Sequence, residues 1–247
     1  MNEVVLLTGA LGNVGRTILS HLSDSYTWRL LDNRPPDSDF PYDIIAADIL
    51  DISTVAEAVE GVNAIIHLAG DPQASASWKS VLRNNIEGTQ ILLEAAVNSG
   101  VERFIFASSN HVVGHYETND KPTLSDPNSP FPLDGTELPR PGNLYGASKA
   151  IGEILGRYYH DEYGISVLCV RIGNLNEDAP PVDYARGQSM WLSKRDCGHL
   201  FDRCLQAVYG YEIIYGVSDN DSSYYSLDRA RTILGYVPRD NSAEHIS

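Results

Sequence analysis

Short apolar runs alternating with helix-period segments along this 247-residue chain predict a doubly wound α/β fold on a parallel sheet. Three observations carry that expectation. The first run, Val4-Val-Leu-Leu7, stops at a glycine-spaced turn, Thr8-Gly9-Ala-Leu-Gly12-Asn13-Val14-Gly15, that opens an amphipathic segment. The second run, Trp28-Arg-Leu-Leu31, ends in an acid, Asp32, a little over 20 residues after Gly9. Further on, Tyr145 and Lys149 stand four apart in a helical run that continues through Gly152-Glu153-Ile154-Leu155, which puts both side chains on one face.

Taken in order, Val4–Leu7 is rich in β-branched residues and reads as a buried parallel strand. Glycines at intervals of three allow a tight turn, bring backbone N–H groups up to a pyrophosphate and permit close helix–strand packing, with the phosphate on the helix N-terminus. Asp32 at the end of the second strand can accept the ribose hydroxyls of an adenosine and repel a 2′-phosphate, which favours NAD over NADP; Arg34 is near enough to soften that choice. Asp43-Ile-Ile-Ala-Ala-Asp48-Ile49 reads as a third strand. Asp48 either bonds an adenine amino group, with Ile49 against the ring, or caps the helix at Ser53–Val59.

Ala64-Ile-Ile-His67-Leu68-Ala69-Gly70 reads as the fourth strand, with small residues at its end where a dinucleotide can lie close; His67, among apolar neighbours, reads as a packed core histidine. Trp78–Ala96 has a long helical pattern interrupted by Asn84-Asn85, a polar pair that costs helix propensity and needs a reason. The fifth strand, Arg103–Ala107, runs into Ser108-Ser109-Asn110-His111, hydroxyls at the carboxyl end of a central strand where α/β ligands bind. Thr118 to Pro141 has no period and reads as a functional loop or mobile flap. The Tyr145–Lys149 helix extends to about Tyr163, and Ser166–Ile172 is a sixth strand. After it come Pro180-Pro181, Gly187-Gln-Ser-Met-Trp191, a helix about Asp196–Val208, a strand about Glu212–Val217 and a short helix Ser226–Leu234.

The tyrosine–lysine pair points to chemistry by its pKa logic. A phenol normally titrates near ~10, and an ammonium held beside it favours the phenolate, moving it toward acid–base work on a hydroxyl.

A net charge of -15 argues against nucleic acid or an anionic membrane as partner. No run approaches the ~18–20 apolar residues of a membrane span, and the start, Met1-Asn-Glu-Val-Val, has no basic region of a signal peptide; a cytoplasmic protein is expected. Cys169, Cys197 and Cys204 are odd in number and lack metal-ligand spacing, so reduced thiols and no metal are expected. The acids are spread along the chain rather than gathered in a tail, which suits either a high-salt habitat or an ordinary acidic enzyme.

Thr8-Gly9-x-x-Gly12-x-x-Gly15, Asp32, Asp48-Ile49, His67-Leu-Ala-Gly70, Asn84-Asn85-x-x-Gly88-Thr89, Ser108-Ser109 and Tyr145-x-x-x-Lys149 together resemble the extended short-chain dehydrogenase/reductase family over nearly the whole chain. The resemblance implies a Rossmann-type NAD-binding domain over 1–172 that carries a catalytic Ser109, Tyr145 and Lys149. Residues 173–247 would form a small substrate-binding region that is not an independent domain. It implies cofactor contacts from Gly9, Gly12, Asn13, Val14, Gly15, Asp32, Asp48, Ile49, Leu68, Ala69, Gly70, Asn85, Tyr145 and Lys149. Ser109 would orient a substrate hydroxyl, Tyr145 take its proton, and Lys149 hold the nicotinamide ribose.

The family includes epimerases, dehydratases and dehydrogenases. Dehydratases carry Asp-Glu after the Ser/Thr, where this chain has Asn110-His111, and the stretch beyond Lys149 leaves room only for a small-sugar site. Phe106–His111, Leu144–Lys149, Val170–Asn174 and Met190–Ser193 are similar to NAD-dependent aldose dehydrogenases related to uronate dehydrogenase. Within that group Leu133–Pro141, Gly156–His160 and Arg195–Phe201 are most similar to the NAD-dependent glucose-6-phosphate dehydrogenases of halophilic archaea. The resemblance implies a small-molecule sugar or sugar-phosphate substrate held by Ser109, Asn110, His111, Asn174 and Arg186, the Ser75–Ser77 stretch near the sugar, and a homo-oligomer (dimer or tetramer). The alternatives are a uronate dehydrogenase and, behind it, a sugar epimerase.

Overall fold

The computed structural model describes residues 3–116, 131–175 and 185–245. The central sheet has seven parallel strands in the order β3-β2-β1-β4-β5-β6-β9. These are β1 Val4–Thr8, β2 Thr27–Asp32, β3 Ile45–Ala46, β4 Ala64–His67, β5 Arg103–Ser109, β6 Ser166–Ile172 and β9 Tyr211–Gly216. The helices α1 Asn13–Leu22, α2 Ile52–Val59, α4 Gly88–Asn98, α5 Leu144–Tyr163 and α7 Lys194–Gln206 cover it on both faces. Alternation along the strands sorts the core. Val5, Leu7, Ala64, Ile66, Ile105 and Ala107 pack with Ile18 and Leu19 of α1 and Leu200 and Phe201 of α7. Leu6, Ile65, Phe104 and Phe106 pack on the opposite face with Val55 and Ala58 of α2 and Leu92 and Leu93 of α4.

The strand order reverses between β1 and β4, so the carboxyl ends of those strands open a crevice. The sheet does not stop at residue 172, since β9 pairs with β6 from Val167 to Ile172. A separate two-stranded pair, β7 Asn174–Leu175 with β8 Trp191–Leu192, borders the crevice through Asn174, and α6, Ala185–Ser189, precedes β8.

Three sequence expectations need correction. The third strand is only Ile45–Ala46, because Asp48 and the residues after it turn to start α2. That helix is capped by Asp51, whose side chain accepts from Thr54 N, and not by Asp48. The long helix Trp78–Ala96 is three segments: α3 Trp78–Val81, a π-helical turn Leu82–Glu87, and α4. The π turn is the reason for the Asn84-Asn85 pair. The extra residue in that turn swings Asn85 inward, where its amide bonds the Asp71 backbone and Ser148 Oγ. Of the loop expected over Thr118–Pro141, residues 117–130 lie outside the described residues, as does Pro180-Pro181.

Candidate active site

One cavity of about 850 Å³ lies along the carboxyl ends of β1, β2, β4 and β5, and both ends of it are built from chemistry-bearing residues. At its backbone-built end, Gly9 sits at φ +71 after β1, a conformation that side-chain-bearing residues rarely adopt. A Cβ there would also lie 2.8 Å from the Ala69 nitrogen and 2.9 Å from the Leu68 carbonyl carbon, so glycine lets β1 and the end of β4 meet. Gly12 precedes α1 with no side-chain cap, which leaves first-turn amides for an anion. Gly9, Gly12, Asn13, Val14 and Gly15 line this end. Asn13 Nδ2 donates to the Leu175 carbonyl at 2.8 Å, tying the glycine turn to β7.

Asp32 is buried at the end of β2 with its carboxylate fixed: Oδ2 accepts from Leu11 N at 3.0 Å and Oδ1 from Arg34 N at 3.2 Å. Arg34 Nε lies 3.5 Å from Oδ1, and Arg34 itself lines the cavity, the arrangement in which it would soften the repulsion of a 2′-phosphate. Asp48 and Ile49 line the adjoining wall; Asp48 Oδ1 accepts from Leu50 N at 3.0 Å. Leu68, Ala69 and Gly70 form the floor beyond β4. A glycine cradle, an uncapped helix start and a fixed carboxylate at the edge of one cleft fit a dinucleotide, with pyrophosphate on the turn and ribose at Asp32.

The other end carries Ser109 at the end of β5, Asn110 and His111 just after it, Tyr145 and Lys149 on α5, and Asn174 on β7, and all six line the cavity. Asn143 caps α5, its Oδ1 accepting from Gly146 N at 2.7 Å. The Lys149 ammonium lies 4.9 Å from the Phe106 ring centroid and 5.9 Å from that of Tyr145. Burial pulls Lys149 down to about 8. For Tyr145 the expected lowering by the lysine is not what the structure gives. Burial pushes its hydroxyl above the usual range, a hydrogen bond with Ser109 opposes this, and the nearby Asp71 carboxylate raises it again. The physical reason is that both groups are buried, and burial favours the uncharged form of each.

Two expected site residues lie outside the cavity wall. Asn85 is buried behind it, holding Asp71 and Ser148, while its neighbour Asn84 faces the cavity. Arg186, on the short α6, is partly buried and does not line the cavity, whereas Met190, just after the same helix, does. The Arg186 charge nonetheless reaches His111, helping burial to hold that imidazole below its ordinary range. In the Ser75–Ser77 stretch, Ser77 caps α3 through Ser80 N rather than lining the cavity.

The wall also contains Asp71, Pro72, Gln73, Ile172 and Gly173, none singled out from sequence. The Asp71 position was legible only as the residue after Gly70; its fixing by Ser80 Oγ at 2.5 Å and Gln73 N at 3.0 Å depends on the fold. His67, read as structural, is fully buried between Thr8 Oγ1 at 2.8 Å and Thr89 Oγ1 at 3.0 Å, and burial drives it down to about 3. The three cysteines are buried free thiols, raised by burial. Among the described residues no cluster of ligands could hold a metal ion, and no helix is long and apolar enough to cross a membrane.

Comparison with known proteins places this geometry. The sequence model of the NAD dependent epimerase/dehydratase family matches residues 5–176. The chain is 61% identical to the NAD-dependent glucose-6-phosphate dehydrogenase of Haloferax volcanii, over 99% of this chain and 96% of that one. It is 36% identical to a uronate dehydrogenase of Pseudomonas syringae pv. tomato, over 96% of this chain and 82% of the relative. Among solved structures, a variant of the uronate dehydrogenase from Agrobacterium tumefaciens complexed with NAD superposes with a TM-score of 0.83 at 31% identity, covering 98% of this chain and 86% of that one.

Proposed function

The chain belongs to the NAD dependent epimerase/dehydratase family, and from that premise we propose that it oxidises glucose 6-phosphate at C1 to 6-phosphogluconolactone with NAD. The observation that carries the reading is 61% identity to an enzyme of that activity over 99% of the chain. It is supported by a cavity with a dinucleotide-shaped end and a hydroxyl-binding end. Residues 1–172 serve as the cofactor-binding part and 173–247 as the small region that completes the sugar site. The glycine turn with Asn13 and Val14, Asp32, Asp48, Ile49 and Leu68–Gly70 would hold the cofactor.

When bound, NAD supplies the hydride acceptor. Tyr145, reacting in its minority phenolate form, takes the proton of the anomeric hydroxyl and becomes the neutral phenol, and Ser109, hydrogen-bonded to Tyr145, holds the same oxygen. Asn110, His111 and Asn174 contact the neighbouring ring oxygens. Lys149, lining the same cavity, would hold the nicotinamide ribose. Arg186, close enough for its charge to act on His111, is the cation for the anionic C6 group, since a guanidinium forks onto phosphate or carboxylate alike.

Uronate dehydrogenation is the second reading, favoured by relatives of that activity. The Haloferax relative and 33 acidic against 18 basic residues support, as part of this reading, a pentose phosphate role, a cytoplasmic location and a salt-rich habitat. A homo-oligomer, dimer or tetramer, is supported by the exposed Ile154, Tyr158 and Tyr163 of α5, and sedimentation would measure it.

The deciding assay follows NADH absorbance with glucose 6-phosphate, glucose, glucuronate and galacturonate in high and low salt. Glucose 6-phosphate is expected to give the highest kcat/KM, with more turnover in high salt. NADH with a uronate alone would replace the first reading by the second, and no NADH with any sugar would leave an epimerase or a nucleotide-binding scaffold.

A further inference from the structure

His111 stands at the hydroxyl-binding end of the cavity, edge-on to Tyr145 with ring centroids 5.5 Å apart. Its role at a sugar depends on which ring nitrogen carries the proton, and the protein's own hydrogen bonds decide this. Asn143 Oδ1 lies 2.7 Å from Gly146 N, a backbone N–H that can only donate. The amide orientation is therefore not free: Oδ1 must face Gly146, and the NH₂ group must face the imidazole. Asn143 Nδ2 lies 2.9 Å from His111 Nδ1. An NH₂ is a donor, so Nδ1 must offer its lone pair and the proton of the neutral ring sits on Nε2.

The geometry needed for this is built into α5. A Cβ on Gly146 would run into the His111 carbonyl, so glycine at that position lets the helix start press against the Asn110–Val113 turn. That approach carries Asn143 onto the ring. His111 N in turn donates to Ser109 Oγ at 3.2 Å, fixing the ring's backbone beside the expected catalytic hydroxyl. Nε2 has no hydrogen-bond partner among the described residues.

We propose that Asn143 is a positioning residue that locks His111 as the neutral tautomer protonated on Nε2, so that the imidazole presents an N–H donor to an oxygen of the sugar. The substrate half of the proposal rests on the sugar-oxidation reading; the tautomer half does not. Protonation of Nδ1 would set two donors against each other, and the other charged or titratable groups facing the ring are Arg186 from α6 and Tyr145 from α5. None of the three favours an imidazolium while Tyr145 is neutral. While Tyr145 is neutral, His111 is thus an Nε2–H donor and not a proton shuttle.

The test is two-bond nitrogen–proton correlation on imidazole-labelled full-length protein from about pH 6 to 9, around the ordinary histidine value, with His111 assigned by its loss in His111→Gln. The wild type should show Nε2–H across the range. In Asn143→Asp the carboxylate still caps Gly146 but can only accept, so the proton should move to Nδ1 or the ring should become charged. An Nδ1–H or imidazolium signal in the wild type, or an unchanged tautomer in Asn143→Asp, would overturn the lock. With glucose 6-phosphate, Asn143→Asp carrying an Nδ1–H ring should lose about tenfold in kcat/KM, the size of one lost hydrogen bond, at unchanged NAD affinity, whereas Asn143→Asp carrying a charged ring keeps the Nε2–H donor and should keep its kcat/KM. Wild-type kcat/KM in Asn143→Asp carrying Nδ1–H, or a loss of about tenfold in Asn143→Asp carrying a charged ring, would overturn the donor role. If the wild type turns over no glucose 6-phosphate, the substrate reading fails while the spectra still decide the tautomer.

Discussion

Arg171 is the sharpest place to test how the cavity floor is held. It lies in β6, 1% exposed, and its guanidinium forks onto Glu153 of α5 with both bonds at 2.9 Å. A second amino group reaches Glu137 and, at 3.2 Å, the Tyr215 hydroxyl of β9. Ser108, next to Ser109, donates to Glu153 Oε1 at 2.6 Å. Arg171→Met fills similar volume but strands the buried Glu153 carboxylate with one hydroxyl donor. Removing one partner of a buried pair costs about 3–5 kcal/mol, because the surviving charge stays desolvated. For a chain of this size about 2–4 °C of unfolding midpoint goes with each kcal/mol, so a fall of about 6–20 °C is expected. Thermal unfolding by circular dichroism at fixed NAD and salt reads it. The double variant Arg171→Met with Glu153→Leu should regain more than half of the loss, since no buried carboxylate is left on α5. A single variant within about 1 kcal/mol of wild type would refute the reasoning, as would a double variant no better than the single.

Tyr145→Phe should abolish turnover while NAD binding, measured by calorimetry, stays within about twofold; an active variant would remove the proton acceptor. Gly9→Ala should cost NAD affinity by at least about tenfold, because the added methyl meets Ala69 and Leu68 and the backbone there has φ +71; binding at wild-type strength would mean the turn yields. His67 has its proton affinity driven from 6.5 to about 3 by burial, so the unfolded chain takes up a proton that the folded chain refuses. Stability is then full above pH 6.5 and falls as pH drops toward 3, by about 1.4 kcal/mol per unit for that one proton. Urea unfolding of His67→Gln across that range should show the slope reduced by one proton, and an unchanged slope would count against it.

The parallel strands and the glycine turn were legible because their causes are local. β-Branched runs, a three-residue glycine spacing and an acid after β2 need no distant partner to be read, and β1, β2, β5, β6 and α5 stand where the pattern puts them. The Asn84-Asn85 pair was legible as an anomaly, but its resolution was not. Whether Asn84 or Asn85 faces the cleft depends on the phase of a π turn that the apolar period does not encode. Asp71 was invisible for a different reason. It reaches Tyr145 across 74 positions of chain, and only the crossing of the β4–α3 connection with α5 makes them neighbours. The same limit explains the tyrosine–lysine pair. Spacing puts the two side chains on one face, but burial decides which protonation states they hold, and burial is a property of the assembled cleft.

An acidic chain that takes anionic ligands must separate two length scales. At a net charge of -15 the surface repels both a dinucleotide and a sugar phosphate from a distance. In about 1 M salt the screening length shrinks to about 3 Å, and that long-range repulsion is gone. Contacts inside the cleft act within that length and survive: amides of the glycine turn, the N–H of a tautomerically fixed His111, and the guanidinium near it. High salt thus removes the repulsion that spread acids impose while leaving untouched the short, geometrically fixed donors that recognise the ligands. The acidic surface and the anionic substrates are compatible only because recognition is confined to buried, directional groups. The cavity described here is built from such groups at both ends, from backbone where the chain is glycine-spaced and from locked side chains where α5 meets β5.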